Sequence, residues 1–156
     1  MAQLAAHATL QPGHIGLNVT DLDRSRAFYQ RVLGFELVAE GTEPDRRYAF
    51  LGRQGQAVLT LWQQSEGAFA TGAPGLHHLS FRVGSVAEVR EIEQVLREVG
   101  AEFAYEGVVP HREGADSGGV FFTDPDGIRL EVFTPHGAHG HDGDAPNGTA
   151  PTCGFF

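Results

Sequence analysis

Hydrophobic and polar positions alternate strictly over His14-Ile15-Gly16-Leu17-Asn18-Val19, which predicts a half-buried strand. Ile15, Leu17 and Val19 form its apolar face; His14, Gly16 and Asn18 form the other. A helix follows, with Asp21 or Asp23 as its N-cap and Gly34 as its end. Phe28 and Val32 lie one turn apart on its apolar side. Three strands are expected next, at about 35–41, 46–52 and 56–63, with Gly52-Arg53-Gln54-Gly55 as the turn between the last two.

The same order then restarts. His78-Leu79-Ser80-Phe81-Arg82-Val83 alternates as the first strand does. Ser85 with Glu88 is a capping box, Val89, Ile92, Leu96 and Val99 make a helical stripe, and Gly100 closes it. Strands are expected near 102–107, 118–123 and 128–134, with Asp124-Pro125-Asp126-Gly127 as a strong turn. The fold class is therefore α+β: two modules of the type strand, helix, three strands, at about 13–63 and 76–134. Residues 64–75 are a glycine- and proline-rich linker, and residues 1–12 a lead-in. Residues 136–156 are rich in glycine, proline and histidine, and by composition form a flexible tail.

A chain of 156 residues accommodates one domain of this size with a real core. Its formal net charge of −9 argues against binding a nucleic-acid backbone. The lone Cys153 excludes an internal disulfide framework. No apolar run approaches a membrane span, and Met1 to Leu10 lacks the features of a secretory signal, so a cytoplasmic location is expected.

The apolar faces of the strands must meet the helices. That turns His14, His78 and, on the last strand, Glu131 to the opposite side. If the two modules curl around one cleft, these three side chains point into it together. Two imidazoles and a carboxylate suit Fe(II), Mn(II), Zn(II), Ni(II) or Co(II) and leave coordination positions open. The competing reading is a pair of ordinary strand histidines and an exposed glutamate. Arg82 and Arg129 share the cleft side and suit a carboxylate or phosphate. Asn18, Tyr48, Phe50, Thr60 and Trp62 are candidates for the pocket wall, with core packing as the alternative for Phe50.

The segments His14 through Asp21, Phe28-Tyr29 to Leu33-Gly34-Phe35, Gly75 through Phe81, and Asp124-Pro125-Asp126-Gly127-Ile128-Arg129-Leu130-Glu131 resemble the vicinal oxygen chelate superfamily over roughly residues 12–135. That group includes glyoxalase I, extradiol dioxygenases, fosfomycin-resistance transferases, methylmalonyl-CoA epimerase and bleomycin-binding proteins. The resemblance implies paired βαβββ modules forming a curved mixed sheet around a metal cleft, often in a homodimer. Carried over by position, the ligands of one divalent metal would be His14, His78 and Glu131, with His77 turned away. Glyoxalase I-like members carry a Glu where this chain has Thr60, which favours a three-ligand site. Extradiol dioxygenases carry a Tyr at the place of Phe121 and a His near the place of His111. His111 is thus a candidate acid or base, against an ordinary loop histidine, and Glu131 a ligand with a catalytic role.

The expected function is a divalent-metal-dependent enzyme acting on a small substrate with vicinal oxygens, by dioxygenase-like or isomerase/lyase chemistry. The alternative is a metal-free drug-binding protein like the bleomycin-resistance branch. No nucleic-acid or membrane partner is expected.

Overall fold

The computed structural model describes residues 11–156. All but the last two residues of the expected lead-in lie outside the described residues. The first module contains β1 (Ile15–Val19), α1 (Leu22–Leu33), β2 (Glu36–Gly41), β3 (Tyr48–Arg53) and β4 (Gln56–Gln63). The second contains β5 (Leu79–Arg82), α2 (Val86–Glu98), β6 (Val109–Pro110), β7 (Gly118–Thr123) and β8 (Arg129–Thr134). Both sheets are mixed, with orders β1-β4-β3-β2 and β5-β8-β7-β6. In each, the first strand runs parallel to the last and the others pair antiparallel. The architecture is α+β, with the repeat expected from the sequence. The two sheets are separate, however. They do not pair edge to edge into one curved sheet.

Local chemistry explains the element ends. Asp21 caps α1 by accepting from the Arg24 amide at 3.0 Å, and Gly34 ends it in the left-handed conformation, φ 65°. Ser85 caps α2, and the Glu88 carboxylate accepts from the Gly84 amide and the Ser85 hydroxyl. The strand expected at 102–107 is reduced to a single bridge, Phe103 to Phe122, and the edge strand forms later as β6. The chain leaves the sheet because Gly107 turns at φ 66° and the Val108 amide donates to Asp142 rather than to β7.

Both sheets turn their helix-facing sides into one hydrophobic core. Leu17, Leu59 and Leu61 of the first module and Leu79, Leu130 and Val132 of the second belong to the same buried cluster. The Asp124-Pro125-Asp126-Gly127 turn locks the modules together. Tyr29, fully buried on α1, donates to Asp124 Oδ2 at 2.9 Å. Asp124 Oδ1 also accepts from the amides of Asp126 and Ile128. Asp126 accepts from the Thr20 amide and hydroxyl and from Arg24. Burial pushes the Asp124 carboxyl up, against the opposing pull of these donors. Helix-side faces thus meet at the centre, and the other face of each sheet looks outward, that of the second sheet lying partly under the C-terminal residues. Among the described residues, no helix is long and apolar enough to cross a membrane.

Asp124→Ala removes the acceptor of three buried donors, and Tyr29→Phe removes one donor. Urea unfolding should show a loss of about 1–2 kcal/mol for Tyr29→Phe and about 3 kcal/mol or more for Asp124→Ala. Equal midpoints would contradict this role for the turn.

Candidate functional site

Glu131 lies in the middle of β8, opposite Ser80 of β5 and Phe121 of β7. Strand alternation buries Leu130 and Val132 against the helices and turns Glu131 to the open face of the second sheet. Even there it is only 3% exposed. Its two oxygens have different partners. His111 Nε2 is 2.5 Å from Oε1, and His78 Nε2 is 3.6 Å from Oε2. A carboxylate accepts only, so the His111 Nε2–H donates to it; the other ring nitrogen is 2.9 Å from the Ser117 hydroxyl. Burial pulls the His78 imidazole down, opposed by the Glu131 charge. The neutral ring is the form that ligates a metal. His78 Nδ1 is 2.9 Å from His77 Nδ1. These histidines precede β5, so strand alternation does not separate them. His77 orients His78 rather than simply turning away.

Cys153 completes the cluster. Its sulfur, a nitrogen of His78 and an oxygen of Glu131 all lie within 4.8 Å of one another. Burial, and then the Glu131 charge, pushes its thiol up. The residues fit a divalent cation. Ligands at about 2.1 Å in a tetrahedral shell sit about 3.4 Å apart, close to the 3.6 Å between His78 and Glu131. Among the described residues, Glu131 is paired only with imidazoles and not with an arginine, so no permanently charged cation neighbours the carboxylate.

The other residues expected at the site divide by module. Arg129 is on the same face of β8 as Glu131, half-buried, and its charge acts on His78. Arg82 is exposed on edge strand β5. His14, Asn18, Thr60 and Trp62 belong to the first module. His14 is exposed just before β1 and is not among the ligand atoms gathered around Glu131. Thr60 is buried, and its hydroxyl accepts from the Trp62 indole at 3.1 Å. Trp62, Tyr48 and Phe50 pack with ring centroids 5.2–5.7 Å apart. They form an aromatic wall, so Phe50 faces this open side and not the core. Asn18 Oδ1 accepts from the Gln64 amide. The residues expected at one site thus lie on the separate sheets of the two modules.

The segment read as a flexible tail is docked on the second module. Asp142 accepts from Arg90 at 2.6 Å and from the Val108 amide at 2.8 Å. The Gly148 carbonyl accepts from the Glu113 amide. Thr152 is fully buried, its amide donating to the His111 carbonyl and its hydroxyl to the Pro110 carbonyl, both at 2.7 Å. Phe156 packs its ring 4.9 Å from Phe121 and 5.7 Å from His78. Composition registers glycine and proline content but not the free carbonyls of an edge strand, which anchor this segment. Cys153 enters the site by this route. Its only sequence signal is the Phe155-Phe156 pair ending a polar stretch.

Arg90 holds the Asp142 carboxyl below its ordinary value of 3.8. The tether is therefore complete above the unfolded carboxyl's value and is lost as pH falls through the lower folded one. Asp142→Asn should raise the rate of proteolysis within residues 139–150 at neutral pH by roughly threefold, since a half-exposed pair is worth under about 1 kcal/mol. In the unaltered chain the same loosening should appear only below pH 3.8. Unchanged cleavage would show that Asp142 does not hold the segment.

The model of the Glyoxalase/Bleomycin resistance protein/Dioxygenase superfamily matches residues 11–132. A 1,2-dihydroxynaphthalene dioxygenase of Sphingobium xenophagum is 30% identical over 121 residues, covering 78% of this chain. The chain spans only 38% of that enzyme's length. A lactoylglutathione lyase of Escherichia coli O157:H7 is 31% identical over 132 residues, covering 77% of this chain and 89% of the lyase. Among solved structures, a glyoxylase/bleomycin resistance protein/dioxygenase domain from Frankia sp. EAN1pec is similar, with TM-score 0.68 and 28% identity over 81% of this chain and 98% of that one.

Proposed function

The chain belongs to the Glyoxalase/Bleomycin resistance protein/Dioxygenase superfamily, and on that premise we propose that it is a divalent-metal-dependent enzyme. Its substrate is a small molecule with adjacent oxygens, and its chemistry is dioxygenase-like or of the isomerase/lyase kind. The observation that carries this reading is the buried Glu131 carboxylate with an imidazole at each oxygen and, among the described residues, no arginine in pair with it. A metal-free drug-binding cup has no need of that arrangement, which makes it the weaker alternative.

His78 and Glu131 hold the ion from the second module. His14 supplies the third ligand from the first module of a second copy. Two observations support the exchange. His14 belongs to the other module of its own chain, and the open faces of the two sheets look outward from a shared core. A twofold homodimer brings the first sheet of one copy over the second sheet of the other, and does so twice.

When bound, a divalent ion polarises a substrate oxygen and stabilises negative charge on it. The protein's own residues do the rest. Glu131 fixes the orientation of His111 through the 2.5 Å contact. His111, steadied on its other nitrogen by Ser117, holds a proton at Nε2 and gives it up once the Glu131 carboxylate is engaged elsewhere. Trp62, Tyr48 and Phe50 of the partner module wall off water and pack against an apolar substrate body. Arg129 and Arg82 attract an anionic substituent.

Metal analysis of tag-free protein after reconstitution should give about one Fe(II), Mn(II), Zn(II), Ni(II) or Co(II) per chain. Glu131→Gln and His14→Ala should each lose it. Oxygen uptake with catechols, against anaerobic turnover of 2-hydroxycarbonyl or hemithioacetal substrates, then separates the two chemistries. No metal in any sample would reject the enzyme reading, and drug binding that survives chelators would favour the alternative.

A further inference from the structure

The C-terminal segment is held too specifically to be a passive cover. Thr152, fully buried, is pinned to two consecutive carbonyls, Pro110 and His111, at the edge of the second sheet. Residues Thr152–Gly154 form a single 3-10 turn. The Tyr105 hydroxyl donates to the Phe155 carbonyl at 3.1 Å and itself accepts from Asn147. Phe156 closes the arrangement against Phe121 and His78. The residue between these anchors is Cys153, whose sulfur faces the His78 nitrogen and Glu131 oxygen within 4.8 Å.

We propose that Cys153 is itself a ligand of the metal centre, delivered to His78 and Glu131 by the docked C-terminal segment. The inference rests on the metal-site reading above but assigns a residue outside the three-ligand set. It is also independent of whether His14 takes part. On binding, the Sγ–H proton passes to solvent as the sulfur–metal bond forms. A nearby dication offsets both effects that disfavour the thiolate here, burial and the Glu131 charge. A sulfur donor makes the site softer than two imidazoles and a carboxylate alone, and turns its preference toward zinc, cobalt or iron over magnesium and manganese. It also occupies one position of the shell, so that the C-terminal segment and an incoming substrate compete for the same ion.

The chain contains a single cysteine, which makes the test direct. Full-length protein, kept reduced with a phosphine rather than a thiol, is titrated with Co(II), and the near-ultraviolet thiolate-to-cobalt charge-transfer band is recorded beside the bound-metal ratio. The expected result is a band that saturates at about one cobalt per chain. In Cys153→Ser the band should vanish while cobalt still binds, with affinity reduced by about tenfold or more. Cobalt bound at one per chain without the band would overturn the assignment of Cys153 and leave the His14, His78, Glu131 reading standing. A band retained in His14→Ala but lost in Glu131→Gln would uphold Cys153 and overturn the part given to His14. No cobalt bound by the unaltered chain would overturn both.

Discussion

A carboxylate taken out of water costs several kcal/mol unless charge or hydrogen-bond donors replace the solvent. Glu131 meets that constraint at the centre of β8, and the surroundings are arranged around it. His111 comes from the loop after β6, His78 from the entry to β5, and Cys153 from the far end of the chain. Each reaches the carboxylate from a different segment. None is explained by its own local structure. His111 is steadied by Ser117, His78 by His77, and Cys153 by the Thr152 anchor. The second layer of contacts has the pattern expected where the direction of a ligand matters.

The site's location follows from how the modules pack. The helix-facing sides of both sheets share one core, and the Asp124 to Asp126 turn fixes them in that relation through Tyr29, Thr20 and Arg24. A chain so joined cannot also fold its two open faces onto each other. The face carrying Glu131 is covered in part by the chain's own C-terminal segment. The face carrying the Tyr48, Phe50, Trp62 wall remains available. On the proposed reading a second copy completes the ligand set, and the metal centre is a product of association. Stability of the site and stability of the dimer would then be linked by mass action.

Much of this was legible from residue pattern, for reasons that can be named. Alternation around Leu79, Leu130 and Val132 identifies the helix side, and so turns Glu131 the other way. The caps at Asp21 and Ser85 and the glycine at Gly34 are short-range chemistry, visible within four residues. What pattern cannot carry is long-range pairing. Asp124-Pro125-Asp126-Gly127 reads as a turn, but nothing in it announces Tyr29 or Thr20, about a hundred residues earlier. Residues 102–107 read as a strand, with the aromatic Phe103 and Tyr105 two positions apart. The positive φ of Gly107 and the reach of Asp142 to Val108 override that local preference. The C-terminal segment is the largest departure. Its order depends on backbone carbonyls at Pro110 and His111, and composition contains no record of them.

The proposed metal centre is built from two chains. The most direct measurement mixes two defective ones. His14→Ala and Glu131→Gln chains are co-expressed with different tags cleaved after purification, and the mixed dimer is isolated and reconstituted. In the mixed dimer, one site receives His14 from the Glu131→Gln chain and His78 with Glu131 from the His14→Ala chain, while the other site lacks both. About one metal ion per mixed dimer, and none in either parent dimer, is the expected result. A mixed dimer as empty as its parents, or a His14→Ala dimer that keeps its full metal content, would contradict it.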